Sequence, residues 1–173
     1  QGSVIGDGGL FKSCTKHIFK LTNGELEYLQ WIKTMMPDNI FTDSCISKTE
    51  RDNRLWYDLR TRNHRRFTEL RNQWYTDSGK ILSDGFKLDE VSLLHLYIQD
   101  GELTDQYNAR ITLSWPSEDE FNRLKSQVVD LIDEEVQVHN GSNGSRAIYV
   151  PSKATESFFR FIGNPMLTCI QYK

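Results

Sequence analysis

The spacing of apolar residues along the chain predicts several helices. In residues 25–36 apolar side chains recur at every third or fourth position, and Pro37 ends the segment, which is typical of an amphipathic helix. Residues 2–10 have the composition of a helix end, stopped by two consecutive glycines. Ser117 and Glu120 have the spacing of a capping box. Further helices are predicted at residues 64–75, 91–99, 117–135 and 152–163.

Alternation of apolar and polar residues predicts the strands. In residues 54–62, every second residue belongs to a set that is expected to face a core, namely Leu55, Tyr57, Leu59 and Thr61. The residues between them, which include arginines and an aromatic, are expected to face outward. The other predicted strands are residues 12–21, 40–47 and 107–115. The Asn-Gly pairs within residues 136–150 predict a hairpin. Residues 48–53 and 76–85 are expected to form a turn and a loop.

The order of these elements repeats. Each half of the chain begins with a helix that ends in Asp-Gly, and each continues as two strands, a helix, two strands and a helix. The repetition is one of pattern, not of residue identity. In the second half, one strand of the first hairpin cannot be placed from the sequence. The pattern predicts an α+β fold built from two αββαββα units.

The composition is typical of a soluble protein with a hydrophobic core. Its 173 residues are 38% hydrophobic and 26% charged, so it can bury a core. No apolar run reaches the roughly 18 residues that span a bilayer, and no secretory signal is visible. Cys14, Cys45 and Cys169 are widely spaced and form no CxxC pair. We therefore expect free thiols, no membrane partner and an intracellular location.

The charge is unevenly distributed. The net charge is -3, which argues mildly against a nucleic-acid partner. Basic residues outnumber acidic ones in residues 1–87, however, and the balance reverses in residues 88–173. The first half is therefore expected to favour phosphates, whereas the second half depends on a few well-placed basic residues.

Two acids stand at equivalent places in the two halves. Asp7 and Asp100 each precede a glycine at the end of the first helix of a repeat. Gly2 and Gly6 lie four residues apart, on one helix face, and would let the two helices approach closely. Carboxylates brought together in this way repel unless a cation lies between them, and hard oxygen ligands suit Mg²⁺. The alternative is that each Asp-Gly pair is only a helix C-terminal turn.

The polar faces of the predicted strands are candidate nucleic-acid surfaces. Arginine, asparagine and threonine hydrogen-bond the edges of bases in the major groove. None of the four histidines has metal-ligand spacing with another. The alternative for these strands is an ordinary solvated sheet face. The candidate DNA-binding residues are Arg54, Trp56, Asp58, Arg60 and Arg62 in the first half, and Asn108, Arg110, Thr112, Ser114, His139 and Arg146 in the second.

Four segments together resemble a known family. "GSVIGDGGL" (2–10) and "LLHLYIQDGEL" (93–103) resemble the two signature helices of the LAGLIDADG homing endonucleases, in the single-chain, two-motif branch. "NQWYTDSGKIL" (72–82) and "FFRFIGNPMLTCIQYK" (158–173) resemble further segments of that branch, in the same order. The resemblance therefore spans nearly the whole chain. In the second motif, His95 and Gln99 stand where the first has Gly2 and Gly6.

The resemblance implies a specific fold and activity. Residues 1–88 and 89–173 would form two αββαββα units whose saddle-shaped antiparallel sheets straddle double-stranded DNA at a long target site. The chain would act as a monomer with internal pseudo-twofold symmetry. Asp7 and Asp100 match the acids that bind Mg²⁺, and Lys80 and Lys173 match basic residues near the scissile phosphates. Metal-assisted hydrolysis would cut both strands and leave short 3′ overhangs.

Two other classes of function stay open. The second hypothesis is a derivative of the same fold that binds nucleic acid without cutting it, either an intron-splicing maturase that binds RNA or a domesticated scaffold or ribosome-associated protein. The presence of both acids favours the endonuclease. A protein-interaction domain is the third possibility, and a failure to bind DNA at any salt concentration would support it.

Overall fold

The computed structural model describes residues 2–141 and 144–163. It confirms the predicted α+β class, with helices and antiparallel sheets. The helices are α1 (Gly2–Ile5), α2 (Leu26–Thr34), α3 (Arg65–Trp74), α4 (Glu90–Asp100), α5 (Glu118–Ile132) and α6 (Ser152–Ile162). The strands are β1 (Gly9–Ser13), β2 (Lys16–Asn23), β3 (Ile46–Arg51), β4 (Arg54–Arg60), β5 (Tyr75–Thr76), β6 (Gly79–Lys80), β7 (Gly101–Leu103), β8 (Ala109–Leu113), β9 (Gln137–Asn140) and β10 (Arg146–Val150). No helix in these residues is long and apolar enough to cross a membrane.

Two four-stranded sheets have the same connectivity. The first sheet has the order β1-β2-β4-β3 and the second the order β7-β8-β10-β9. All strand pairs in both sheets are antiparallel. Each sheet thus arises from a helix, a hairpin, a helix, a second hairpin and a helix in chain order. The repetition predicted from the sequence is present in the strand topology.

One compact unit contains residues 7–73 and the first sheet. Its core is formed by alternate residues of the central strands, including Phe19, Leu21 and Leu59, which are almost completely buried. Helix α2 contributes Tyr28 and Leu29, as its apolar spacing predicts. Polar side chains occupy the other face of this sheet, because successive side chains of a strand point to opposite faces.

The other compact unit contains residues 2–6 and 74–163 within the described part of the chain, with the second sheet. Helix α4 is buried from Ser92 through Ile98, which explains why its sequence has no polar face. Helix α5 buries a stripe at helical spacing, and its N-terminus has the predicted capping box of Ser117 and Glu120. Helix α1, which precedes Asp7 and Gly8, packs against α4, which ends at Asp100. Both helices belong to this unit.

Several predicted strands were placed wrongly. Residues 12–21 are not one strand but parts of the hairpin β1–β2, which turns through Cys14 in the left-handed region. The strand predicted at 40–47 begins only at Ile46, after a short 3-10 helix. The turn predicted at 48–53 contracts to Asp52 and Asn53, both with positive φ. Residues 76–85 include the small β5–β6 hairpin.

The strand that could not be placed in the second half is β7. It begins at Gly101, directly after α4, and pairs with β8 over three residues. The helix predicted in residues 2–10 ends at Ile5, so Asp7 follows it in a turn. Cys14 is exposed and Cys45 is buried, and both are free thiols. Cys169 lies outside the described residues.

Acidification is expected to destabilise the fold through His95 on α4. Burial is the main cause that lowers the pKa of His95 to about 4, so the unfolded chain binds more protons than the folded one between about pH 6.5 and 4. This contribution to stability is complete above about pH 6.5 and falls by about 2 kcal/mol by pH 5. Urea unfolding at both pH values measures it. In a His95→Leu variant this part of the pH dependence should vanish, and equal pH dependence in both proteins would contradict the assignment.

Candidate functional site

The carboxylate of Asp100 lies at the C-terminal end of α4. Asp100 is the last residue of the helix and Gly101 is the first residue of β7. Unpaired carbonyl groups give the C-terminal end of a helix a partial negative charge. An aspartate at this end is therefore unfavourable by itself and becomes favourable when a cation binds nearby. The Asp100 carboxylate at the end of α4 is therefore suited to bind a cation.

The end of α1 approaches Asp100 too closely for a side chain. A Cβ atom added to Gly6 would lie 2.7 Å from Asp100 Oδ2 and 2.9 Å from Gln99 Cβ. Such distances are below van der Waals contact, so this packing requires glycine. Gly2 is the first residue of α1. The close helix approach expected of the first motif therefore occurs at Gly6, even though Gln99 is the bulky residue opposite it.

Asp7 follows Gly6 in the chain and its side chain is exposed. Its pairing with Asp100 at one metal stays a prediction. In residues 2–141 and 144–163 there is no group of three or more His, Cys, Asp or Glu side chains arranged to hold a metal ion.

Lys80 contacts Gly6, the residue just after the end of α1. Its Nζ donates a hydrogen bond to the carbonyl oxygen of Gly6 at 2.7 Å. The same ammonium group lies 5.6 Å from the centroid of the Trp115 ring, within the range of a cation–π contact. Lys80 is thus held beside the residue that precedes Asp7. Lys173, the second predicted basic residue, lies outside the described residues.

The first sheet presents a basic face. Strand register places Lys20 opposite Arg60, Asp58 opposite Thr22 and Arg54 opposite Arg51, and residues directly opposite each other share a face. Four of the five residues predicted on this strand, Arg54, Trp56, Asp58 and Arg60, therefore project from one side, and Arg62 follows as an exposed residue. The prediction missed the neighbours Lys16, Lys20, Thr22, Thr49 and Arg51.

Asp58 is the acid at the centre of this basic face. Its carboxylate accepts a short hydrogen bond from the Thr22 hydroxyl and lies 3.1 Å from Lys20 Nζ. Burial by itself would raise the pKa of Asp58, but the bonds from Thr22 and Lys20 and the nearby charge of Arg51 outweigh burial and lower the pKa below its ordinary value. Asp58 therefore stays ionised and orients Lys20.

The second sheet presents a face with little net charge. Arg110 lies opposite Glu102 and Tyr149 and forms an ion pair with Glu102. Thr112 shares this face and is exposed, as is His139 on β9. The rings of His139 and Tyr149 stack, with centroids 4.6 Å apart and planes 6° apart. Ser114 follows β8 and is exposed.

Two predicted DNA-binding residues do not lie on this face. Arg146 pairs with Leu113 and therefore belongs to the opposite, buried side of the sheet. Its guanidinium donates to the carbonyl oxygen of Pro116 at 3.2 Å and lies 5.9 Å from the Phe121 ring centroid. Asn108 precedes β8, is buried, and hydrogen-bonds Thr104 across the β7–β8 turn. Both residues have structural contacts that alternation alone could not reveal.

The sequence belongs to the LAGLIDADG DNA endonuclease family, whose profile matches residues 1–158. No curated protein sequence matches the chain significantly. The family assignment agrees with two αββαββα repeats, each of which opens with a helix next to an Asp-Gly pair.

Solved structures of this fold are similar over almost the whole chain. The homing endonuclease I-WcaI, solved bound to its DNA recognition sequence, is 16% identical with a TM-score of 0.83, and the match covers 99% of this chain and 82% of that one. I-DmoI in complex with DNA and Ca is 15% identical with a TM-score of 0.59 over 93% and 85% of the two chains. The N-terminal LAGLIDADG domain of DUF199/WhiA is 15% identical with a TM-score of 0.61 over 96% and 80%. At these identities the likeness establishes the fold.

Proposed function

We propose that this protein is a site-specific double-strand DNA endonuclease that depends on a divalent metal ion. The observation that carries the proposal is the end of α4, where Asp100 packs against Gly6 and Lys80 donates to the Gly6 carbonyl oxygen. A carboxylate at a helix C-terminus, beside a held ammonium group, combines the two kinds of residue that phosphodiester hydrolysis needs. Asp7, next to Gly6, is proposed as the second acid.

The residues fit a divalent cation by their chemistry. Asp7 and Asp100 would hold it with carboxylate oxygens, the hard ligands that Mg²⁺ prefers, and water and DNA phosphate would complete its coordination. DNA complexes of I-DmoI have been solved with Ca and in the presence of Mn, which supports a divalent ion here. A bound ion of this kind supplies an activated water and stabilises the leaving 3′ oxygen.

Lys80 is proposed to balance negative charge at the scissile phosphate. Its ammonium is a compact charge on a flexible stem, and the Gly6 carbonyl and the Trp115 ring restrict where it can lie. Preorganised donors of this type stabilise charge that develops in the transition state. Lys173 is proposed for the corresponding role on the second strand, by resemblance alone.

The exposed sheet faces are proposed to contact the DNA. I-WcaI was solved bound to its recognition sequence, which supports DNA as the partner here. The basic face of the first sheet, with Lys20, Arg54 and Arg60, offers groups that hydrogen-bond phosphates and base edges. The long target site and the action of a single chain with internal pseudo-twofold symmetry are part of the same proposal.

A second candidate is a protein of this fold that binds nucleic acid without cutting it, either RNA in an intron or DNA. The structural likeness to the WhiA domain supports it. Helix α5 exposes the acids Glu118, Asp119 and Asp130, which repel phosphates. We therefore do not expect nucleic acid to bind on that helix in addition to the sheet faces. A splicing assay with intron RNA, together with an absence of DNA nicking in Mg²⁺, would decide for the second candidate.

The proposal is tested by selecting the target first and measuring cleavage afterwards. Duplexes bound by the protein are enriched from a randomised pool, and the enriched DNA is incubated with protein and Mg²⁺. We expect a recurrent long site and double-strand breaks with short 3′ overhangs at one place within it. Enrichment of a site that stays intact in Mg²⁺ and Mn²⁺ would reject the endonuclease and leave the binding protein.

The basic face of the first sheet is expected to set the salt dependence of DNA binding. Arg54→Gln and Arg60→Gln together should lower the slope of log affinity against log salt by about 2, because each lost phosphate contact lowers it by about 1. Binding titrations at several salt concentrations measure the slope. Arg146→Gln is the matched control, since Arg146 bonds to Pro116 on the buried side of the other sheet. An unchanged slope in the double variant would place the DNA elsewhere.

A further inference from the structure

Residues 81–88, here called the connector, join β6 to the residue that caps α4. The connector has no regular secondary structure, yet Leu82, Phe86 and Leu88 are buried. Phe86 meets Trp74 edge-on, with ring centroids 5.1 Å apart. The connector is therefore a packed part of the fold and not a loose link between the repeats.

Helix α5 holds the main chain of the connector through three side chains. Glu120 Oε1 accepts a hydrogen bond from the Leu82 N–H at 2.7 Å, and Gln127 Oε1 accepts one from Leu88 at 2.6 Å. Arg123 donates a short hydrogen bond to the Leu82 carbonyl oxygen. Both polar main-chain groups of Leu82 are thus held by side chains of one helix.

Leu82 lies two residues after Lys80. Between them, the Ile81 N–H donates to the Trp74 carbonyl oxygen at 2.8 Å. Lys80 itself pairs within the β5–β6 hairpin, and its Nζ reaches the Gly6 carbonyl oxygen. Each residue from Lys80 to Leu82 is therefore held by main-chain hydrogen bonds. Those at Leu82 are made by side chains of α5.

We propose that Glu120 and Arg123 are positioning residues for Lys80, which act by clamping Leu82. The inference rests on the proposed endonuclease function, in which Lys80 serves the scissile phosphate. A lysine side chain has a flexible four-carbon stem, so the place of its Nζ depends on a fixed main chain. A displacement of about 1 Å at a reacting group costs about 100-fold in rate.

Glu120 is suited to this role by its charge state. Burial by itself would raise its pKa, but hydrogen bonds from Ser117 and from Leu82 and the charge of Arg123 outweigh burial and lower the pKa. The carboxylate is therefore ionised at neutral pH and accepts from Leu82 while it also completes the capping box of α5.

A double-mutant cycle with Lys80 tests the inference. Glu120→Ala should lower the single-turnover cleavage rate about 10- to 100-fold with unchanged DNA affinity. In the Glu120→Ala/Lys80→Met double variant the rate should be no lower than in Lys80→Met alone, because Glu120 acts through Lys80. Additive losses, or a loss confined to affinity, would overturn the inference.

Two controls separate positioning from stability. Ser117→Ala removes the capping hydroxyl of α5, which also donates to Glu120 Oε2. It leaves the bond from the Ser117 N–H to Glu120 Oε2 and the bond that Glu120 Oε1 accepts from the Leu82 N–H. Gln127→Ala releases the connector at Leu88, eight residues from Lys80. Both should lower Tm while the cleavage rate stays within about twofold of wild type, because neither variant removes the bond that Leu82 donates to Glu120. A rate loss as large as that of Glu120→Ala would reduce the role of Glu120 to general stability.

A measurement without cleavage keeps this inference distinct from the proposed function. The amide of Ile81 should exchange with solvent at least about 10-fold faster in Glu120→Ala than in wild type, and at an unchanged rate in Ser117→Ala. If the wild-type protein cuts no DNA, the proposed function fails while this exchange result still decides whether Glu120 positions the segment. Unchanged protection of Ile81 in Glu120→Ala would overturn the inference.

Discussion

Asp100→Asn is expected to reduce DNA cleavage by at least about 1,000-fold, since a bound metal ion contributes several kcal/mol of charge stabilisation and each 1.4 kcal/mol is a factor of ten. Asparagine keeps the size of the side chain but removes the charge that attracts the cation to the end of α4. Asp7→Asn is expected to have an effect of the same size. Single-turnover assays on the selected target measure both.

The same variants should bind DNA nearly as well as the wild type, because the sheet faces supply the contacts. Asp130→Asn, which neutralises an exposed carboxylate on α5, is the matched control and should cut at the normal rate. Normal cleavage by either Asp7→Asn or Asp100→Asn would remove that residue from the metal site.

Gly6→Ala is expected to lower the free energy of unfolding by about 1–3 kcal/mol, the usual cost of forcing extra atoms into a packed site. The added methyl group would lie 2.7 Å from Asp100 Oδ2 and 2.9 Å from Gln99 Cβ, so α1, Gln99 or Asp100 must shift. Cleavage should fall as well, because the carboxylate moves. Chemical denaturation and the cleavage assay measure the two effects.

Gly24→Ala is the control for this substitution. A Cβ atom at Gly24 would meet only the Leu55 carbonyl oxygen, at 3.9 Å, which is ordinary contact. Alanine there should leave stability within about 1 kcal/mol of wild type or raise it slightly. If the Gly6→Ala variant were as stable as the wild type, α1 and α4 would not be closely packed at this point.

The sequence predicted the elements whose signals are local. Helix α5 begins at its capping box as expected, because Ser117 and Glu120 interact within one turn. The β1–β2 hairpin was missed because it turns at Cys14 and Thr15, without the glycine or asparagine that normally marks such a turn. Strand β7 was missed because three residues are too few to show alternation.

The sheet face on which a candidate residue lies could be predicted where alternation along one strand determines it. It could not be predicted where it depends on how that strand pairs with its neighbour. Arg54, Asp58 and Arg60 share a face because they alternate along a single strand. Arg146, a predicted DNA-binding residue, lies opposite Leu113 on the buried side of the second sheet, and the sequence does not show which residue of β8 it pairs with. The contact between Lys80 and Gly6 joins residues 74 positions apart, and only the fold brings them together.

The central claim is that Asp7 and Asp100 hold a divalent ion at the scissile phosphates of bound DNA. Its most direct test is a crystal structure of the protein with its selected target in Mn²⁺, with the ions located by their anomalous scattering. We expect manganese in contact with the carboxylates of Asp7 and Asp100 and with DNA phosphate oxygens. DNA lying on both sheet faces with no manganese at either carboxylate would contradict it.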